Sequence, residues 1–357
     1  MNVRTGLSYG DALLIPQRSP VDSRSDVDLS TKLTPSIDLD VPVASAAMDT
    51  VTGVETATAL AELGGIGVLH RFSDVEKQAA QAREVASRGG PVAGAVGIDE
   101  EYLDRTEALL EAGADAVVVD IAHGHMERCL DAVERIRSEF DPELVVGNVV
   151  TPAAVEDLYA AGADCVKVGV GPGSHCTTRE VAGAGFPQLT AVDETADRAH
   201  ELGITVMADG GIRRSGDAAK ALIAGADTVM MGSFFAGTAE APGDVVEVDG
   251  EPFKRSRGMA STAANDDRDD KEIEIEADEG VEGLTPYTGS LAERTETFLA
   301  GVRSGVSYCG GHTLDQARAN AEFVRVAASA KEREGAHGVV ASDGGTTASD
   351  VGDASSE

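Results

Sequence analysis

Three times the chain writes the same punctuation: EAGAD at 111–115, AAGAD at 160–164 and IAGAD at 223–227. Each closes a segment with helical apolar spacing and leads straight into an apolar run, the pattern of a glycine C-cap followed by a strand. The runs recur eight times: VPVAS (41–45), GIGVLH (65–70), VAGAVG (92–97), AVVVD (116–120), LVVGN (144–148), CVKVG (165–169), ITVMAD (204–209) and TVMMG (228–232). They do not alternate with polar residues, as expected of strands covered on both faces. Helical spacing fills the gaps, in ETATALAEL, VEKQAAQAREV, EYLDRTEALLEAG, AAVEDLYAAG, TADRAHEL and AAKALIAG.

Strict alternation of strand and helix calls for a parallel sheet, and eight strands favour closure into an α/β (β/α)8 TIM barrel, with an open doubly wound sheet as the alternative. Both place chemistry at the C-terminal ends of the strands. The residues to read are therefore Asp120 with IAHGH, Asn148 with VVT, the 169–189 loop, Asp209 with GGI, and Gly232 with Ser233.

Charge narrows the partners. With 62 acidic against 29 basic residues the net charge is −33, which argues against a nucleic-acid or anionic-membrane surface. Only 7 of the basic residues are lysines, and a lysine-poor, strongly acidic surface suits a halophilic protein whose self-repulsion is screened by salt. No run approaches the roughly 18 apolar residues of a membrane span, and MNVRTGLSYGDALLIP lacks the apolar core of a signal peptide, so a cytoplasmic protein is expected. The four cysteines, Cys129, Cys165, Cys176 and Cys309, show no CxxC spacing and suggest neither a zinc site nor a disulfide framework.

Two regions break the rhythm of the barrel. Residues 258–289 carry ten acids and two bases with little apolar periodicity, and read as a mobile flap over the barrel mouth after strand 8. Residues 338–357 are small, polar and acidic and read as a disordered tail, leaving 1–337 as a single catalytic barrel.

Cys165 lies inside an apolar run and reads as core filler, whereas Cys176 lies in GVGPGSHCTTR, on a glycine-rich loop leaving a strand. Backbone amides can converge on an anion there, and a thiol so placed can be a nucleophile. His175 is a weak candidate for its base, because neighbouring side chains on an extended chain point apart. DGGI (209–212) and MGS (231–233) follow consecutive strands and look like the phosphate and ribose end of a barrel site, although Asp-Gly-Gly is also an ordinary turn.

These residues carry a resemblance. LSYGDALLIPQRS, SRSDVDLS, VPVASAAMDTVT, GGIGVLHR, DIAHGH, VGNVVT, GVGPGSHCTTREVAGAGFPQ, ADGGIRRSGD, DTVMMGS, RGMAS, EGVEG and EGAH together resemble the IMP dehydrogenase / GMP reductase family over nearly the whole chain. The resemblance implies that Cys176 attacks C2 of a purine mononucleotide, with Thr178 and Glu279 as the other catalytic residues. It implies that Ser174, Asp209, Gly211, Gly232 and Ser233 hold the 5′-phosphate and ribose, and that Gly258 and Met259 make further mononucleotide contacts. Asp120 and Asn148 match residues near the nicotinamide nucleotide. The carbonyls of Gly171, Gly173 and Cys176 match a potassium (K+) site completed by a neighbouring subunit's Glu334 and Gly335, which implies a homotetramer.

Both activities of the family pass through one thioimidate at C2. Family dehydrogenases resemble one another in an Arg-Tyr pair on a long flap. Here Arg268 is followed by Asp269, and no tyrosine comes until Tyr287. No CBS repeats interrupt residues 70–100, and Glu279 aligns with the glutamate that shuttles protons to departing ammonia in the reductases. SAAMDTVT, GGIGVLH, VAGAGFPQ and VEGLTPY instead read more like dehydrogenase, and an acidic flap suits the extra phosphate of NADPH poorly. The expectation is a GMP reductase using NADPH, with an IMP dehydrogenase using NAD as the alternative and a non-catalytic nucleotide sensor behind both.

Overall fold

A computed structural model of the protein describes residues 3–261, 264 and 279–333. The tail at 338–357, the pair Glu334 and Gly335, and flap residues 265–278 with Arg268 lie outside the described residues. The eight apolar runs are strands β1 (Val43–Ser45), β2 (Ile66–Leu69), β3 (Val92–Val96), β4 (Ala116–Asp120), β5 (Leu144–Val149), β6 (Cys165–Val168), β7 (Thr205–Asp209) and β8 (Thr228–Met231). All pair in parallel, and β8 returns to β1, closing the barrel and removing the open-sheet alternative. The layer outside is α1 (Val54–Glu62), α2 (Val75–Ser87), α3 (Tyr102–Glu111), α4 (Glu127–Phe140), α5 (Pro152–Ala161), α6 (Gln188–Leu202), α7 (Ser215–Ile223) and α8 (Leu291–Tyr308).

Burial on both faces follows from this closure. Ile66, Val68, Ala93, Val118, Val145, Cys165, Met207 and Met230 pack inside the barrel, while Leu69, Val96, Val117, Val146 and Val229 pack outward against the helices. The hairpin 31–34 with 37–39 closes the N-terminal end, its Leu33 and Leu39 joining the interior cluster. Thr205 Oγ1 donates to the Leu33 carbonyl at 2.5 Å, and Thr31 Oγ1 to that of Asp227 at 2.8 Å.

The Gly-Ala-Asp repeat has two halves. Gly113, Gly162 and Gly225 have φ of 91°, 110° and 116°, a left-handed bend that glycine adopts without strain. The aspartates then act as staples. Asp115, Asp164 and Asp227 each accept an amide at the start of the preceding strand, from Val92 and Leu144, the first residues of β3 and β5, and from Val206, the second of β7, at 2.9, 2.8 and 2.8 Å. Each returns its own N–H to the carbonyl of that same residue at 2.8, 2.9 and 2.8 Å. An amide near the start of each of these strands is thus satisfied, and the register at the barrel floor is pinned three times.

Beyond β8 a small antiparallel sheet stands at the other end: β9 (Val245–Val248), β10 (Glu251–Arg257) and β11 (Glu282–Pro286). Asp249 and Gly250, both at positive φ (53° and 83°), make the β9–β10 turn. In the described part of the 258–289 segment, β11 pairs with β10, and Gly280 bridges to Cys176.

Candidate active site

A cleft of about 400 Å³ opens at the C-terminal ends of the strands, where barrel architecture concentrates chemistry. Its wall includes Ser174 and Cys176 from the loop after β6, Asp209 and Gly211 after β7, and Gly232 and Ser233 after β8. Gly258, Met259 and Glu279 close one side, and Asp120 and Gly173 also face it. Segments far apart in sequence converge on one space. Asn148, Gly171 and Thr178 do not line it: Thr178 touches two residues that do, and Asn148 stands behind the floor.

Cys176 is half-buried, whereas Cys129, Cys165 and Cys309 are buried. Burial pushes the Cys129 thiol up to about 11 and the Cys165 thiol up to about 12, so neither supplies thiolate near neutrality. The Cys176 thiol lies 3.2 Å from Thr178 Oγ1, and that hydroxyl donates to Glu279 Oε2 at 2.6 Å. Sulfur, hydroxyl and carboxylate form a continuous hydrogen-bonded line from the cleft to a proton acceptor.

Backbone pairing brings Glu279 to its place. Thr177 N donates to the Glu279 carbonyl at 2.9 Å, Val281 N to the His175 carbonyl at 3.1 Å, and Gly258 N to the Val281 carbonyl at 3.0 Å. The junction is too close for side chains, since a Cβ on Gly280 would meet Ser261 N at 2.7 Å and one on Gly258 would meet the His175 carbonyl at 2.8 Å. His175 does not activate the thiol. Its Nδ1 lies 3.1 Å from Ser174 Oγ and its Nε2 2.9 Å from Ser256 Oγ, which continues to Thr285 Oγ1 at 2.7 Å. Burial holds this imidazole below its ordinary pKa.

The DGG turn is set by crowding. Gly210 and Gly211 have φ of 89° and 79°, and a Cβ on Gly210 would meet Pro172 Cγ at 3.0 Å and Gly173 N at 3.2 Å. The two loops can approach only as glycines, leaving backbone around the position where a phosphate is expected. On the opposite side Arg257 Nε donates to Asp49 Oδ2 at 2.9 Å, fastening the loop after β1 to the turn that carries Gly258 and Met259.

The cleft floor holds a residue that the motif reading left without a role, Lys167. Its ammonium, 2% exposed, lies 2.8 Å from Asp120 Oδ1 and 2.7 Å from Asp209 Oδ2, and it also donates to Asn148 Oδ1. Burial opposes its charge, but the two carboxylates outweigh that cost and raise its pKa above the ordinary lysine value. Burial likewise works against ionised Asp120, and Lys167 overcomes it, leaving that carboxyl below its usual range. The signal was present in the sequence as a single charge within the apolar run CVKVG.

No helix among the described residues is long and apolar enough to cross a membrane. The profile of the IMP dehydrogenase / GMP reductase domain matches residues 6–337. The inosine-5′-monophosphate dehydrogenase of Nitrosopumilus maritimus is 35% identical, over 91% of this chain and 97% of its own length. The GMP reductase of Leishmania major is 33% identical, over 94% of this chain and 97% of its own. A solved structure of a cysteine-to-alanine variant of GMP reductase from Trypanosoma brucei, in complex with guanosine 5′-monophosphate, superposes with a TM-score of 0.91 at 31% identity, covering 95% of this chain and 99% of that one. The motifs, the closed barrel with its thiol at the mouth, and these likenesses agree: the chain belongs to the IMP dehydrogenase / GMP reductase family of oxidoreductases.

Proposed function

We propose that the protein is a GMP reductase that converts a guanine nucleotide to the inosine nucleotide through a covalent bond at Cys176. The observation that carries this reading is the Cys176–Thr178–Glu279 line, with its 3.2 and 2.6 Å steps. Cys176 Sγ adds to C2 of the purine while its proton passes through Thr178 to Glu279, and the C2–amino bond breaks. Thr178, backed by Glu279, passes a proton to the leaving nitrogen, so ammonia departs and a thioimidate remains. The nicotinamide dinucleotide, when bound, supplies the hydride that the carbon then needs. The C2–S bond then breaks with its electrons on sulfur, which frees the inosine nucleotide and restores the Cys176 contact with the Thr178 hydroxyl.

Asp209 would accept from the ribose hydroxyls. Ser174, Gly211, Gly232 and Ser233 would hold the phosphate, and Met259 with Gly258 would flank the base. Asp120, with Asn148 behind it, would face the nicotinamide nucleotide. A potassium ion suits a donor set of neutral carbonyls from Gly171, Gly173 and Cys176, of which that of Gly173 also accepts the Cys176 N–H at 3.2 Å. A homotetramer belongs to the same reading.

IMP dehydrogenase is the second reading, and similar relatives carry that activity. The same Thr178–Glu279 pair could take a proton from the water that hydrolyses a thioimidate. A non-catalytic sensor is disfavoured, because all three residues of the line are present and in contact. One assay separates the readings: in high-potassium buffer, GMP with NADPH should lose absorbance at the reduced-nicotinamide band. NADH formation from IMP and NAD, with no GMP-dependent oxidation, would reverse the assignment.

A further inference from the structure

Lys167 is the only basic residue in the eight barrel strands, and neither the nucleophile, the proton carrier nor the phosphate cradle uses it. Its three donor positions are matched by three acceptors, on Asp120, Asp209 and Asn148. Asp120 ends β4 and Asp209 ends β7, so one nitrogen on β6 joins carboxylates from separate parts of the rim. Both carboxylates also face the cleft, with 29% and 22% of their side chains exposed.

The surroundings are built for this arrangement. A Cβ on Gly147 would meet Lys167 Cβ at 2.6 Å, so β5 gives way where the lysine passes. Asn148 Nδ2 donates to Asp209 Oδ2 at 2.9 Å and to the Gly169 carbonyl at 2.7 Å, bracing the same carboxylate from a second direction. A buried ammonium is retained only if its partners are well placed, and the converse also holds: its rigid seat fixes the partners.

We propose that Lys167 is a positioning residue that aims two carboxylates at the sugar hydroxyls of two different ligands, Asp209 at the purine mononucleotide and Asp120 at the nicotinamide dinucleotide. This rests on the proposed function, which places those ligands on those sides. One buried cation then sets the geometry of both half-sites, and loss of it is felt by both ligands at once.

A pair of affinity cycles tests this against simple charge neutralisation. Titration calorimetry would measure GMP binding alone, and NADPH binding at saturating IMP, a pair that cannot react with each other, in the full-length protein. Lys167→Met should weaken each ligand by about tenfold or more, the scale of a lost charge-assisted hydrogen-bond geometry. If that variant does not fold, the charge-matched doubles decide. Lys167→Met with Asp120→Asn removes one positive and one negative charge, keeps the net charge of the wild type, and should still bind GMP at least about fivefold more weakly than the wild type. Lys167→Met with Asp209→Asn, again with the net charge of the wild type, should bind NADPH more weakly than the wild type by a similar factor. Equal affinities within each comparison would mean that Lys167 only balances charge, and the proposal would fall. A wild-type protein that binds both ligands but turns over neither nucleotide would instead sink the proposed activity and leave these comparisons readable.

Discussion

The start of β6 and the loop that follows it carry the same side chain and opposite chemistry. Cys165 starts the strand inside the barrel, fully buried beside Met207 and Val145, and burial pushes its thiol up to about 12. Cys176 lies eight residues past the strand's other end, at Val168, half-buried against a hydroxyl and a carboxylate. What separates them is position along the barrel axis. The floor is closed by apolar packing and by the aspartate staples, so a thiol there is filler. The rim is built from loops whose backbone is left to face a ligand, so a thiol there can react.

The largest expected effect breaks the comparison at the rim. Cys176→Ala should lower turnover by about 10³-fold or more, the scale of losing a covalent nucleophile, while GMP affinity by calorimetry stays within about threefold. Comparable loss of binding would make the cysteine structural. Next comes the proton carrier. Glu279→Gln should slow single-turnover ammonia release by roughly 10²-fold with little change in nucleotide affinity, in line with general acid catalysis. Unchanged turnover would take Glu279 out of the reaction.

The smallest effect sharpens the floor. Cys165→Ala should leave kcat intact and cost about 1–2 kcal/mol in denaturant unfolding, as small core truncations do. Its titration supplies a sign. A thiol whose pKa is raised by folding contributes stability that is whole below the unfolded value near 8.5 and is lost as pH rises toward the folded one. Wild-type stability should therefore fall above about pH 9, and Cys165→Ala should make that fall shallower by up to about 1.4 kcal/mol per pH unit. An unchanged alkaline slope would show that the thiol is not held neutral by the fold.

Much of this was legible in the chain itself. The eight strands could be read because each is a short apolar run bounded by glycine or a polar residue, and the structure keeps them to within two residues at each end. The Gly-Ala-Asp repeat announced helix ends, but not the staples, since an aspartate's backbone partner on a neighbouring strand leaves no trace in local sequence. The β9–β10 hairpin carried a signal, Asp-Gly between VVEV and EPFKR, that was overshadowed by its exposed, charged strands. Lys167 was visible as a lone charge among buried neighbours. That it would join Asp120 to Asp209 depends on the inward faces of β4, β6 and β7 meeting at one point, which the curvature of the barrel arranges and no local pattern records.

The junction at Gly280 bears on how such an enzyme can be silenced. Glu279 meets Thr178 only while Thr177 and Val281 keep their backbone bonds to the cysteine loop, whereas the turns at Gly211 and Gly232 owe nothing to that seam. A change that broke this seam alone would separate grip from conversion, leaving a protein that captures its nucleotide and hands it back unaltered.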